Sequence, residues 1–339
     1  MSGDEIDEVA LGRWLEANVE GFTGPFELRK FPSGQSNPTY RITAASGEYV
    51  LRRKPFGPLL PSAHAVDREF RLIAALYPLD FPVPEPLALC GDAAVIGAIF
   101  YVMELAKGRS YADGALPDFD PVTRGCMYEQ LIDTLADLHA IDPERAGLGD
   151  FGKPGNYFER QVMRWTRQYR DSETDYLPEM ERLIGFLPET VPEQSRTAVV
   201  HGDYRIDNVL FDGDGTLTAV LDWELATLGD PLADFSYLAM QWAMPADGGA
   251  GLAGLDLTAL GIPTLGDIVA RYSERSGVPV AAQLDWYFAY NLFRLAGIVQ
   301  GIKKRVLDGT ASHAGAAEMA KRVPMLAQAA WRFAERAGA

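Results

Sequence analysis

Cysteine is nearly absent from this chain: Cys90 and Cys126 are its only two among 339 residues, in unrelated segments and without CxxC spacing. That excludes a disulfide framework and a thiolate metal knuckle, and two reduced, buried thiols in a cytoplasmic protein are expected. No run of about 18 apolar residues occurs either, so no membrane-spanning helix is expected. Cations are scarce relative to anions, 31 Lys and Arg against 47 Asp and Glu, for a net charge of −16. Such a chain lacks the basic footprint on which nucleic-acid binding depends. The opening MSGDEIDEVA is acidic where a secretory signal would be basic and then apolar. Repeats and low-complexity tracts are missing too.

What remains is an ordinary globular composition, 47% hydrophobic and 23% charged, in a length that suits two lobes. FELRKFPSG and PTYRITAASGEYVLRRKP alternate apolar and polar side chains, with SGE as a hairpin turn. PSAHAVDREFRLIAALYPL places Val66, Phe70, Ile73 and Leu76 or Tyr77 on one helical face, with Ser62 as N-cap and Pro78 as the stop. FPVPEPLALC is extended again, and AIFYVMEL is a nearly continuous apolar strand. This order defines a small α+β lobe over 1–104, joined through a hinge at 103–108 to a mainly helical lobe over 105–339. The second lobe has amphipathic helices at 123–141, YFERQVMRWTRQYRDS and DYLPEMERLIGFLPE. Its helix at 284–307 is apolar nearly all round, so a central place is expected. MPADGGAGLAGLDL at 244–257 reads as a loop, and RFAERAGA as a short closing helix.

The stretch VVHGDYRIDNVLFDGDGTLTAVLDWE, residues 199–224, concentrates side-chain oxygens between short apolar runs. VLF and LTAVL joined by DGDG form a hairpin, which sets Asn208 before its first strand and Asp222 at the end of its second. Such a pair can hold Mg²⁺, a hard ion that takes a few oxygens together with substrate phosphates. Asp203, off the hairpin, is expected to accept a proton from a hydroxyl, with His201 two residues before it. The competing view is a pair of Asp-rich surface turns. HxDxxxxN followed by Asp at the far end of a hairpin is similar to the catalytic and metal motifs of phosphoryl transfer.

Companion parts can then be sought. A strand cation should contact phosphates and pair with a helical Glu. YVLRRKP offers Arg52, with Lys54 as the alternative on the same side, and DREF offers Glu69. An Arg at this place keeps the charge of a Lys but not its shape. FPSGQSNPTY, with Ser33 and Gly34, lies where a phosphate-covering loop belongs, although it is no GxGxxG. The backbone from Glu104 to Ala106 would meet an adenine edge. Together these parts are those expected of a bilobal, protein-kinase-like α+β fold, for which ATP and Mg²⁺ are the expected cofactors.

The motifs VVHGDYRIDNVLF, AVLDWELATLGDPLADFSYL and LADLHAID resemble the aminoglycoside phosphotransferase-like family of small-molecule kinases. YVLRRKPFGPLLPSAHAVDREFR, NYFERQVMRWTRQY and FRLAGIVQGIKKR are similar to the kinase domain found in multidomain acyl-CoA dehydrogenase proteins. The resemblance implies Asp203 as base, Asn208 and Asp222 as metal ligands and His201 as a supporting residue of the catalytic loop. It implies a small-molecule hydroxyl acceptor, a hydroxyacyl-CoA on the second likeness, and a separate acyl-CoA dehydrogenase acting in the same pathway. Rival expectations are an aminoglycoside or amino-alcohol kinase and a non-catalytic nucleotide-binding module. Twelve residues from Asp222 to Asp234 leave no room for a peptide-holding activation segment. Asp230 and Asp234 are expected to brace the loop or cap a helix near Pro231. Arg294, a charge in an apolar helix, needs a partner.

Overall fold

A computed structural model of the chain describes residues 6–32, 37–57, 64–247, 249–280, 284–311 and 315–339. It has two compact units. One comprises Met1–Tyr111, Glu144–Gly149 and Asp207–Ala226; the other comprises Ala112–Pro143, Asp150–Ile206 and Thr227–Ala339. The units are thus not separated by one cut near residue 104, because two later segments return to the first of them.

The first unit opens with helix α1 (Glu8–Asn18), for which the sequence reading made no provision. Its signals are short: Asp7 caps the Val9 and Ala10 amides, and Leu11 and Leu15, four apart, are its two fully buried side chains. Strands β1 (Phe26–Lys30), β2 (Thr39–Ala44), β3 (Gly47–Arg53), β4 (Pro86–Cys90) and β5 (Phe100–Glu104) make one antiparallel sheet, in the order β1-β2-β3-β5-β4. Helix α2 (Val66–Leu76) packs on β4 and β5. The expected cap Ser62 lies outside the described residues.

The two-residue period of β3 decides which side chains reach which face. Leu51 joins Ile42, Phe100, Val102, Leu11 and Leu15 in one apolar core. Val50 and Arg52 point the other way and line a cavity. Arg53, of the same parity as Leu51, is fully buried, with its guanidinium over the Phe56 ring at 3.7 Å.

The acid-rich hairpin completes this unit. Strands β7 (Val209–Phe211) and β8 (Leu217–Val220) pair antiparallel, as the apolar runs require. The Leu221 amide donates to the Asn208 carbonyl at 2.8 Å and closes the open end. Arg109 and Phe211 exchange backbone hydrogen bonds of 2.9 and 3.0 Å, which ties the hairpin to the segment after β5. At Gly108 (φ +116°) a Cβ would sit 2.7 Å from the Phe211 carbonyl oxygen, so this close approach needs glycine.

The second unit is mainly helical, with α3 (Pro121–Ala140), α4 (Tyr157–Ser172), α5 (Pro178–Glu189), α6 (Leu232–Ala239), α7 (Leu257–Leu260), α8 (Leu265–Ser276), α9 (Leu284–Leu307), α10 (Ala316–Ala320) and α11 (Val323–Arg336). The expected central helix is α9, which packs against α4, α5, α6, α10 and α11. Asp120 caps α3 at the Val122 and Thr123 amides, with Pro121 at its first position. Two short strands, β6 (Ala198–Val200) and β9 (Thr227–Gly229), pair antiparallel and carry the chain into the segment that begins at His201. No helix of the described residues is long and apolar enough to cross a membrane.

Candidate active site

Every residue lining one cavity of about 520 Å³ belongs to the first unit. Arg52 holds it together. Its Nε donates to Glu69 at 3.0 Å, one guanidinium nitrogen reaches the Asp222 carboxylate at 2.8 Å, and Glu224 lies 3.7 Å away. The planar fork of arginine serves two carboxylates at once, which a lysine ammonium could not do with the same geometry. Burial opposes the Arg52 charge, but Glu69, Tyr101, Asp222 and Glu224 outweigh it and hold the guanidinium above its ordinary pKa. Burial pushes the Glu69 carboxyl up, to about 7, against the pull of Arg52, and the charges of Asp222 and Glu224 push the same way. Tyr101, fully buried and hydrogen-bonded to Glu69, is pushed well above the ordinary phenol range by burial first.

Asp222 is one of few non-glycine residues with positive φ, +64°. Such a conformation costs energy and persists where surrounding structure imposes it, often at functional positions. Here Trp223 anchors it: the indole is buried, donates to the Val220 carbonyl at 3.0 Å and meets Phe81 edge-on. Asn208 lines the same cavity. A carboxylate and an amide oxygen on one wall are hard donors of the kind Mg²⁺ accepts, so the donor set fits that ion.

The loop that starts at His201 belongs to the second unit, and α6 holds it. Asp234 accepts from the His201 amide at 2.6 Å and from the Gly202 amide at 2.8 Å, and the His139 ring lies 3.3 Å from it. Burial by itself would push the Asp234 carboxyl up; the His139 ring and the Gly202 amide keep it below its ordinary value. The His201 ring is fully buried and accepts the Asp203 amide at 3.2 Å. Tyr237, one turn along α6 from Asp234, is hydrogen-bonded to Asp203, and burial, then the Asp203 charge, raise its pKa. Arg294 of α9 donates to the Gly202 carbonyl at 2.8 Å.

Asp230 takes the other expected role, as a turn cap that accepts the Leu232 amide at 2.8 Å. Burial raises its pKa to about 6 from an ordinary 3.8. A carboxyl with a raised folded pKa contributes stability that is complete below the unfolded value and is lost as pH rises through the folded one. Asp230→Asn keeps the accepting oxygen and cannot ionise. We expect it to be about as stable as wild type at pH 3.5 and more stable by about 3 kcal/mol at pH 7, read by urea unfolding at both pH values. Equal stability differences at the two pH values would disprove the burial effect.

The structure thus brings Arg52, Glu69, Asn208, Asp222, Glu104 and Ala106 to one cavity. Lys54, one residue past the end of β3, is not among its lining residues and pairs instead with Asp67 at 2.8 Å. Ser33 and Gly34 lie outside the described residues. The Glu104 and Leu105 amides already donate to the Glu85 and Glu48 carbonyls, at 2.9 and 3.4 Å. Sequence reasoning gave no role to Glu224, Tyr101 or Tyr237. Glu224 had a visible signal, two residues after Asp222, and it accepts at 3.5 Å from Asn37, which is buried and meets His64 at 3.1 Å.

These features define a bilobal, protein-kinase-like α+β fold. Residues 27–270 match the phosphotransferase enzyme family (APH), and the chain belongs to that family. It is 45% identical over 337 residues to mouse acyl-CoA dehydrogenase family member 10, covering 98% of this chain but 32% of the mouse protein. The chain therefore spans about a third of that relative's length. The crystal structure of a protein from Ralstonia eutropha superposes with a TM-score of 0.90 at 43% identity, covering 98% of this chain and 99% of that one. The aminoglycoside phosphotransferase APH(4)-Ia, in a ternary complex with ADP and hygromycin B, gives a TM-score of 0.60 at 16% identity, covering 96% and 98%, a likeness of fold alone.

Proposed function

We propose that this chain is an ATP- and Mg²⁺-dependent small-molecule kinase whose acceptor is the hydroxyl of a hydroxyacyl-CoA. The observation that carries the kinase reading is the Arg52 bridge from Glu69 to Asp222 in a cavity that Asn208 also lines. Arg52, steered by Glu69, contacts the nucleotide phosphates. Among the backbone donors from Glu104 to Ala106, the Ala106 amide is the one left for a base edge. Asn208 and Asp222 would hold Mg²⁺, which supplies charge neutralisation at the phosphates. Asp203 orients the acceptor hydroxyl and takes its proton as the oxygen attacks the γ-phosphorus. The bond from that phosphorus to the bridging oxygen breaks, and its electron pair leaves with ADP. The His201 ring and Asp234 hold the loop that presents Asp203.

The acceptor class rests on the 45% identity to an acyl-CoA dehydrogenase family member, which makes an acyl-CoA dehydrogenase the natural consumer of the product. Chemically, phosphorylation converts a poor leaving group, hydroxide, into a good one. Both cysteines are free, and Cys90 is buried as expected whereas Cys126 is exposed; two unpaired thiols fit a reducing, cytoplasmic setting. Mass spectrometry of MgATP reactions tests the reading. A gain of about 80 Da, one phosphoryl group, is expected on a 4-hydroxyacyl-CoA and not on a panel of aminoglycosides. The reverse pattern would assign an antibiotic or amino-alcohol acceptor, and MgATP binding without transfer to any acceptor would assign a non-catalytic module.

A further inference from the structure

The residue before the proposed base is clamped at both of its backbone polar groups, from two different helices. Asp234 on α6 accepts the Gly202 amide at 2.8 Å, and Arg294 on α9 donates to the Gly202 carbonyl at 2.8 Å. Gly202 itself is at φ +85°, a conformation that a side chain would resist. Tyr237 lies three residues after Asp234 on α6, so the two occupy the same helical face. Its side chain is nearly buried, and its hydroxyl is hydrogen-bonded to Asp203. The Arg294 guanidinium lies over the Tyr237 ring at 5.1 Å and over Trp165 at 5.6 Å, so the phenol and the cation brace one another.

We propose that Arg294 and Tyr237 are positioning residues for Asp203: the guanidinium fixes the Gly202 carbonyl, and the phenol holds the carboxylate in one rotamer. This rests on the proposed role of Asp203 as the base. An arginine in the nearly all-apolar α9 is costly unless its donors are used. Here one is used on the residue adjacent to the reacting group. Burial opposes the charge of Arg294, yet the hydroxyls of Tyr290, Tyr237 and Tyr157 and the Asp203 carboxylate keep its pKa raised. A purely structural tie between helices would be indifferent to which backbone carbonyl it met. The proposed role is not, because a carboxylate displaced by about 1 Å loses much of its effect on the attacking oxygen.

Substitutions at Tyr237 and Arg294 separate the possibilities. Tyr237→Phe removes one hydroxyl and keeps the ring beneath Arg294. With 4-hydroxyacyl-CoA as probe acceptor, turnover is expected to fall about 10-fold with the KM for MgATP unchanged. Placed on an Asp203→Ala background, the same substitution is expected to have no further effect, since the hydroxyl then has no carboxylate to hold. Arg294→Met is expected to speed amide exchange at Gly202 and Asp203, with Arg294→Lys in between, because a lysine offers the charge without the fork. Wild-type turnover in Tyr237→Phe, an additive double variant, or unchanged exchange in Arg294→Met would each overturn the proposal. Full activity in Asp203→Ala would instead refute the base, and the exchange experiment, which needs no acceptor, would still decide on the clamp.

Discussion

Asp203→Ala is expected to reduce phosphoryl transfer by about 10³-fold, within the range of general-base catalysis, while MgATP affinity stays within about two-fold of wild type. The asymmetry follows from where the residues lie. Every side chain lining the proposed nucleotide cavity belongs to the first unit, whereas Asp203 belongs to the loop that Asp234 and Arg294 hold in the second. Removing the carboxylate takes away the proposed proton acceptor and leaves the proposed phosphate-binding set as it was. Isothermal titration with MgATP, run beside single-turnover transfer, measures both quantities. Transfer at the wild-type rate would remove Asp203 from the mechanism. A parallel loss of nucleotide affinity would mean that the substitution unfolds more than the loop. Asp203→Asn sharpens the test, since it keeps the shape and an oxygen for Tyr237 but has little basicity.

Asp222→Ala is expected to show the converse: MgATP affinity falls about 10-fold to 100-fold, corresponding to about 1.4–2.8 kcal/mol, whereas affinity for metal-free ATP does not fall. Two features make this contrast. Asp222 is the carboxylate among the two proposed Mg²⁺ donors, so its loss removes most of the charge that would hold the ion. It also receives Arg52 at 2.8 Å, and its removal frees that guanidinium for the nucleotide phosphates. Titration of ATP with and without Mg²⁺ distinguishes the two contributions. Equal losses in both conditions would show that Asp222 serves the cavity's shape and not a metal. The positive φ of Asp222 adds a control, because Asp222→Gly removes the carboxylate without the backbone cost of a Cβ in the left-handed region.

The elements that the sequence made legible are those whose information is local. The hairpin at 209–220 follows from two apolar runs around a Gly-Asp-Gly turn, and it sets Asn208 and Asp222 at its open end. Helix α4 begins and ends where its amphipathic pattern does, and α9 is buried as its apolar circumference demands. Helix α1 was missed because acidic residues conceal two core leucines in a short segment. Strand β9 was missed because three residues, Thr227–Gly229, carry too little pattern to distinguish a strand from a turn.

The sequence by itself determined the chemistry available: HGDYRIDN followed by LDWE, a strand arginine and a helical glutamate, in an order similar to that of known phosphotransferases. Those signals are covalent spacings, and they survive without knowledge of the tertiary fold. Only the tertiary structure decided which cation enters the cavity. Arg52 and Lys54 have the same parity along the chain, but Lys54 lies past the end of β3 and its long side chain pairs with Asp67 on the segment that follows. The tertiary structure also decided the partner of Arg294. A charge in an apolar helix demands a partner for physical reasons, but that partner is a backbone carbonyl 92 residues away, an atom every residue possesses and no sequence pattern marks.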